Sequence, residues 1–206
     1  MKPTVKVNST SSMREKILLE STRLFVERGY DGVSIREIAE ACSITKAALY
    51  YHFLDKEQLL IEILEAGLAV FQQLIRHAVQ NSNTARDRIK GFVFSLFTQL
   101  PPENRAVIRL ATQEMGKLQP ELRSRFAQHY REKFLQPLMD IFIEGQKSGE
   151  LRLLSPDVVV WALLGMLYPF MSKESAIREE VTHQQLEQLL DLFWRGVTAS
   201  SPDKSP

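Results

Sequence analysis

The 206-residue sequence has one cysteine and little that is typical of a catalytic or metal site. Cys42 alone cannot form an intramolecular disulfide, which suits a reducing compartment. The four histidines form no H-x-x-x-H pair, and there is neither a glycine-rich phosphate loop nor a G-x-S-x-G element. These absences argue against an enzyme, a metal site and a resident cofactor.

The sequence also lacks a targeting segment and an excess of charge of one sign. The first residues, MKPTVKVNSTSS, are polar, and the apolar run at 158–170 is too short to cross a membrane. The net charge is +1, and residues 1–57 contain nine Lys or Arg against eight Asp or Glu. We therefore expect a cytoplasmic protein without a membrane partner, in which any nucleic-acid contact depends on the local placement of charge.

Apolar residues recur at helical spacing along almost the whole chain, and no strand-like alternation persists. Capping boxes at 12–15, 34–37, 55–58 and 182–185 mark helix starts, as do several prolines. The predicted fold is all-α with nine helices, at about 13–28, 34–41, 45–51, 55–80, 85–100, 101–115, 120–149, 156–172 and 182–197. Pro137 should kink or split the seventh helix, because its ring crowds the carbonyl four residues back.

The predicted helices fall into two domains. Residues 12–55 would form a three-helix head, and residues 56–198 a larger helical body that the helix after Asp55 joins to the head. The polar segments 1–11 and 199–206 are expected to be disordered.

The segment 34–53, SIREIAEACSITKAALYYHF, carries the most specific pattern. Two short helices flank a turn of three or four residues, which is the geometry of a helix-turn-helix. The second helix has no acidic residue, and its hydroxyls, lysine, tyrosines and histidine suit phosphates and base edges. A helical hairpin packed inside a bundle would show the same bare pattern, so both interpretations stay open on the residues alone.

The run FVERGYDGVSIREIAEACSITKAALYYHFLDKEQLL resembles the DNA-binding head of the tetracycline-repressor (TetR) family of bacterial transcription regulators. The matching residues are at 28–30, 33–34, 38–39, 44–46, 49–53, 56–57 and 59–60, and their spacing holds without a gap. The resemblance implies a homodimeric, sequence-specific regulator, by family expectation a repressor, on a pseudo-palindromic operator in double-stranded DNA. It also implies release by a small, largely hydrophobic effector. The alternative is a helical small-molecule-binding protein or an enzyme without DNA-dependent regulation.

Carried over by position, the resemblance implies DNA contacts in and around the two short helices. Thr45, Lys46 and Ala47 would meet base edges, and Tyr50, His52 and Lys56 would meet phosphates. The full set of implied DNA-binding residues is Ser34, Arg36, Thr45, Lys46, Ala47, Ala48, Tyr50, Tyr51, His52 and Lys56.

Some of these residues have a second interpretation. Arg36 could read a guanine or pair with Glu40 one turn on, and Ser34 is a helix cap first. Tyr51 would either stack on the DNA backbone or support its helix.

Ser43 stands where the family usually has glycine, so a positive φ there would cost more than glycine would. Cys42, beside this turn, is interpreted as a small buried hydrophobe rather than a redox sensor.

For the body, the resemblance implies ligand sensing and dimerisation. Large or adaptable side chains that could line a cavity, with a few polar groups, are Phe94, Phe97, Gln113, Met115, Phe126, His129, Tyr130, Phe134, Trp161, Met166 and Phe170. For each of them, ordinary core or surface duty is the alternative.

The last two helices have broad apolar faces, one of which would pack inward and the rest against a second copy. The predicted dimer-interface residues are Val158, Ala162, Gly165, Leu186, Leu189, Leu190, Phe193, Trp194 and Val197. The alternative is that both faces are buried within one protomer.

Overall fold

The computed structural model describes residues 9–171 and 181–198, and these residues are predominantly α-helical. Apart from helical turns, they form only an isolated β-bridge between Leu151 and Thr198. The α-helices are α1 (Ser9–Arg28), α2 (Ile35–Ala41), α3 (Lys46–His52), α4 (Lys56–Gln80), α5 (Ala85–Gln99), α6 (Pro102–Glu114), α7 (Pro120–Tyr130), α8 (Gln136–Lys147), α9 (Pro156–Leu167) and α10 (His183–Val197). The predicted all-α fold is confirmed, while the terminal segments 1–8 and 199–206 lie outside the described residues.

Helices α7 and α8 run on from one another through a π-helical turn, Arg131–Leu135. Counted as one helix, they give the nine predicted helices in the described part of the chain. Pro137 cannot donate to the carbonyl of Lys133, and its ring crowds that carbonyl. A π-helical turn directly before the proline takes up this mismatch, so the disturbance at Pro137 is a change of helical pitch and not a break.

Most helix starts lie where the capping signals place them. Ser34 and Thr182 both form reciprocal capping boxes. Asp55 caps α4 by accepting the Gln58 N–H at 2.7 Å, but the Gln58 side chain accepts from the Leu54 N–H instead of completing the box.

The predicted start of α1 at the Ser12 box is wrong. α1 begins at Ser9, one turn earlier, so residues 9–11 are helical where the sequence predicts disorder. Neither glycine nor proline occurs in this turn, so nothing there stops the helix from extending upstream of the box. Gly29, at φ +72°, ends α1 as expected.

Helix α4 is the central helix of the protein, and it packs against α1, α5, α6, α7 and α8. By length and composition alone, α4 could cross a membrane. The sequence prediction considered only the apolar run at 158–170 and overlooked this helix. Contacts with five helices account for that apolar surface. Gly67 lets α6 approach closely, since a Cβ there would lie 2.5 Å from Val107 Cγ1. One continuous hydrophobic core therefore runs from the head into the body.

Candidate functional site

The helix-turn-helix is fixed by its own small core. Val33, Ile38, Leu49 and Phe53 are buried, and α2 packs against both α1 and α3. Between the two helices, Ser43 has a φ of 59°, the left-handed conformation that favours glycine. The chain thus adopts the turn that the motif requires with a serine at its least favourable position.

Helix α3 presents a cationic and aromatic surface. Thr45 caps the helix by accepting the Ala48 N–H at 3.1 Å, which uses a lone pair and not the hydroxyl proton. Lys46 Nζ lies 5.6 Å from the centre of the Tyr50 ring one turn on. No acidic residue lies in the first turn of α3, so this end of the helix offers donors to an anion.

The predicted DNA-binding residues lie on one stretch of chain from the start of α2 to the start of α4. Tyr51 is 82% exposed, and its ring meets His52 edge-on at 5.3 Å. The exposed members are Ser34, Arg36, Thr45, Lys46, Ala47, Tyr50 and Tyr51, and the partly buried members are Ala48, His52 and Lys56. The structure therefore brings the set together; that these residues bind DNA stays a prediction.

Arg36 and Ser34 both have partners within the protein. Arg36 Nε lies 2.7 Å from the Glu40 carboxylate, although its side chain is 83% exposed. The Ser34 hydroxyl and N–H both donate to Glu37, and with Arg28 they lower the pKa of Glu37 to about 2. Arg36 must leave Glu40 to reach a base, whereas Ser34 is committed to its cap.

Lys56 does not extend into solvent. Its ammonium lies 4.1 Å from the centre of the Tyr30 ring, within cation–π distance. Burial is the main cause of the lowered pKa of Lys56. The Tyr30 hydroxyl is also partly buried, which together with Glu57, Asp55 and Asp31 raises the pKa of Tyr30 to about 12.

Next to Lys56, head and body meet in a cluster of charges. Lys117 Nζ lies 2.5 Å from Asp31 of the head and 2.8 Å from Glu114 of α6. A Cβ at Gly29 would lie 3.2 Å from Glu114 Oε1, so the turn after α1 rests on this carboxylate. We call Tyr30, Asp31, Lys56, Glu114 and Lys117 the junction cluster.

A cavity of about 770 Å³ opens between α6, α7 and α9. Its lining residues are Thr112, Met115, Ala127, Gln128, Tyr130, Arg131, Leu135, Trp161 and Tyr168. The volume is within the range of small-molecule sites. Of the residues predicted for a cavity, Met115, Tyr130 and Trp161 meet here.

The other predicted cavity residues are not among those that line this cavity. Phe126 and Phe134 are fully buried in the core. Phe94 lies against His183 and Lys90, Phe97 lies beneath the Arg105 guanidinium, and His129 contacts Glu65. Gln113 is exposed, and Met166 and Phe170 are partly buried. None of these residues lines this cavity. For Phe126 and Phe134 the reason is that close packing leaves no space beside a fully buried ring.

Several cavity residues were missed by sequence reasoning. Ala127, Arg131 and Leu135 recur every four residues and so lie on one stripe of the α7–α8 helix. The stripe consists of a small, a charged and an aliphatic residue, so it shows no aromatic pattern. The four-residue spacing was the one sequence signal for this stripe, and the π-helical turn interrupts that spacing.

The predicted dimer interface divides into two parts. Leu186, Leu190, Phe193, Trp194 and Val197 are buried within the protomer. They hold α10 on the body, for example through contact of Phe193 and Trp194 with Phe142, so their assignment to an interface was wrong. Leu189 is partly buried, whereas Val158, Ala162 and Gly165 on α9 are exposed, as are Trp161 and Leu192.

Cys42 offers no reactive thiol. It is 1% exposed, and burial raises the pKa of its thiol. In the described residues, no group of three or more His, Cys, Asp or Glu is placed to hold a metal ion. The interpretation of Cys42 as a buried hydrophobe agrees with this environment.

The exposed, acid-free helix α3, joined to α2 by a tight turn, defines a helix-turn-helix protein, and its helical body has an open cavity. Residues 17–63 match the family model of bacterial regulatory proteins of the tetR family, and residues 82–169 match the tetracyclin repressor-like C-terminal domain. The protein belongs to the TetR family of bacterial transcriptional regulators.

Relatives and solved structures of similar length match almost the whole chain. The HTH-type transcriptional repressor DhaR of Mycobacterium sp. (strain GP1) is 23% identical, over 94% of this chain and 96% of the relative. AibR, solved with isovaleryl coenzyme A and operator DNA, is 28% identical with a TM-score of 0.71, over 88% of this chain and 96% of AibR. A tetR-family protein from Rhodococcus RHA1 shares the fold, at 22% identity and a TM-score of 0.78, over 92% of this chain and 98% of that one.

Proposed function

We propose that this protein is a cytoplasmic transcriptional repressor that leaves its operator when a small, largely apolar ligand enters the body. The observation that carries the proposal is the short connection between cavity and head. Met115 lines the cavity, and Lys117, in the same 3-10 turn Met115–Lys117, pairs with Asp31 of the head. A ligand that moves this turn changes a contact of the head directly.

The head supplies the DNA-binding surface of the proposal. Lys46 and Tyr50 lie exposed on α3, the helix that enters the major groove in this motif. Arg36 would join them after leaving Glu40. Since these groups are few and the head is nearly neutral, two heads acting together are needed for a tight complex.

A homodimer is proposed to provide the two heads, through the outer faces of α9 and α10. Val158 and Leu192 are 62% and 66% exposed there. A Cβ at Gly165 or Gly196 would meet nothing within 4 Å in the protomer, so a second copy can approach both helices closely. An isologous interface of this kind would fit a pseudo-palindromic operator.

Release is proposed to run through the junction cluster. Lys117 holds Asp31 and Glu114 together, and Glu57 of α4 accepts the Gln119 N–H just beyond the same turn. A ligand that binds better when this turn is displaced would shift the head to a state with lower operator affinity.

The repressor proposal is tested by titrating the protein against DNA from upstream of its own gene and of neighbouring genes, across a salt series. We expect a specific complex whose dissociation constant rises steeply with salt, because phosphate contacts release counterions. Absence of a specific, salt-sensitive complex on all of these fragments would contradict the proposal.

The coupling is tested with Lys117→Gln, which removes the charge between Asp31 and Glu114. We expect operator binding in the absence of ligand to weaken, and the further loss caused by ligand to shrink. Lys147→Gln, at the exposed end of α8, is the matched control and should change neither quantity. Equal behaviour of the two variants would exclude the junction cluster as the route.

A further inference from the structure

The cavity between α6, α7 and α9 has an uneven distribution of polar groups. Met115, Leu135 and Trp161 provide apolar wall. Arg131 lies exposed at its rim, and none of the described lining residues is acidic. This composition favours a ligand with a large apolar part and a negative charge.

Two tyrosines that line the cavity have buried hydroxyls with unused hydrogen-bonding capacity. Tyr130 is 5% exposed. The hydroxyls of Tyr130 and Tyr168 interact with one another, but neither has a well-formed hydrogen bond within the described residues. Each phenol has one proton to donate, so even a mutual bond would leave one proton without an acceptor. A buried unsatisfied donor is costly, and an acceptor on a ligand would remove that cost.

The two phenols stay protonated at neutral pH. Burial raises the pKa of both Tyr130 and Tyr168, and the interaction between the two hydroxyls adds to the shift at Tyr130. Both side chains therefore act as neutral donors. Neutral donors next to a fixed positive charge suit an anionic oxygen better than an ammonium group.

Arg131 supplies the positive charge among the lining residues, and its side chain is exposed. The charge of Arg131 also acts on Asp157, in the first turn of α9. The Ser155 hydroxyl is the main cause of the lowered pKa of Asp157, and Arg131 contributes.

We infer that the cavity takes an amphiphilic carboxylate. Its apolar chain or ring lies against Met115, Leu135 and Trp161, and its carboxylate faces Arg131. The carboxylate accepts hydrogen bonds from Tyr130 and Tyr168 once these side chains shift to bring their buried hydroxyls to the cavity surface. The inference deepens the proposed function, on which its regulatory consequence rests, by giving the chemical class of the ligand.

The probes are decanoate and decanol, which have the same chain length and differ in charge. Trp161 lines the cavity, and the chain has two tryptophans, so Trp194→Phe leaves Trp161 as the single fluorescent reporter. Calorimetry on the unsubstituted protein gives the same dissociation constants without any substitution. We expect decanoate to bind roughly tenfold more tightly than decanol, as charge-assisted hydrogen bonds allow.

Three variants assign this preference to side chains. Arg131→Gln should bring decanoate to within a few-fold of decanol, and the isosteric pair Tyr130→Phe with Tyr168→Phe should weaken decanoate by about tenfold. Arg125→Gln, exposed on α7 and outside the cavity lining, is the control and should leave both constants unchanged.

The outcomes separate this inference from the proposed function. Equal binding of decanoate and decanol, or decanoate binding that ignores Arg131, or no binding of either probe up to millimolar concentration, would overturn the inference. If decanol also releases operator DNA, the proposed function still stands. Selective, Arg131-dependent binding of decanoate that leaves operator affinity unchanged would uphold the carboxylate site and contradict ligand-controlled release.

Discussion

The head and the body place their functional side chains in different ways. In the head, the proposed DNA-contacting residues are nearly contiguous, from Ser34 to Lys56, and two short helices fix their directions. In the body, the cavity residues come from α6, α7 and α9, which are separated by up to 56 positions between Thr112 and Tyr168. A local motif can be interpreted from sequence spacing, whereas a cavity depends on how distant helices pack.

The capping box of the head and the cavity of the body also differ in how their polar groups are satisfied. In the head, Ser34, Glu37 and Arg28 satisfy one another at the surface. In the body, the hydroxyls of the cavity-lining residues Tyr130 and Tyr168 are buried without a well-formed partner among the described residues. The capping box is thus satisfied within the protein, while the two cavity-lining hydroxyls have capacity left for a ligand.

The largest expected effect concerns Phe134, which the sequence suggests for the cavity but which the structure places in the packed core of the body. Phe134 is fully buried, with its ring 5.7 Å from Phe71 and 5.3 Å from Tyr130. Phe134→Ala should lower the free energy of unfolding by about 3–5 kcal/mol, through lost burial and the void left behind. Urea denaturation followed by circular dichroism measures this.

Phe94→Ala is the matched comparison, because Phe94 is also an aromatic residue predicted for the cavity but is only partly buried. Its cost should be less than about half as large, since less area is removed from the core. Similar losses for both variants would contradict the division into core and surface rings.

The second expected effect concerns the division of labour in the head. Lys46→Ala should cost about 1–3 kcal/mol of operator binding and relax sequence preference, as expected for a base-edge contact. Lys56→Ala should weaken all DNA sequences alike and flatten the log–log salt slope by about one per half-site. Anisotropy titrations on operator and scrambled DNA at several salt concentrations distinguish these outcomes.

Lys147→Ala provides a control for the loss of one surface charge, because Lys147 lies at the far end of α8. If Lys46→Ala and Lys56→Ala give the same salt slope and the same loss of specificity, the assigned roles are wrong. Lys56→Ala also removes the contact with Tyr30, worth about 0.5–1 kcal/mol, so its stability must be measured alongside.

The sequence was sufficient for the all-α fold and for the exposed surface of the head. Helical spacing and capping residues such as Ser34 and Thr182 act locally, so they place helices without knowledge of the packing. It was not sufficient for the cavity, because Phe134 and Met115 look equally suitable until the helices are assembled. For the same reason, α10 residues such as Trp194 were assigned to a partner although the protomer already buries them.

A third, smaller effect concerns the turn of the helix-turn-helix. Ser43 adopts a φ of 59°, which a residue with a Cβ occupies at a cost. Ser43→Gly should raise the stability of the head by about 1 kcal/mol. Ser148→Gly is the control, because Ser148 has an ordinary φ of −80°, and it should be neutral or destabilising. A loss of stability at position 43 would show that the strain relieved at this φ is smaller than the backbone entropy that glycine costs.

The smallest expected effect is the pH dependence of the Ser34 capping box. Hydrogen bonds from Ser34, with the Arg28 charge, lower the pKa of Glu37 from 4.5 to about 2. Because the folded pKa is the lower one, the stabilisation is complete above about pH 4.5 and is lost as the pH falls towards 2. Glu37→Gln keeps a side chain that can accept the cap bond but removes its charge. The difference in urea midpoint between the unsubstituted protein and Glu37→Gln should therefore be present at pH 7 and shrink at pH 3. The control is Glu121→Gln, in the first turn of α7 where no side chain caps the helix. Its difference in urea midpoint from the unsubstituted protein should be nearly the same at pH 7 and pH 3. An equal trend in both variants would trace the effect to overall charge and not to the capping box.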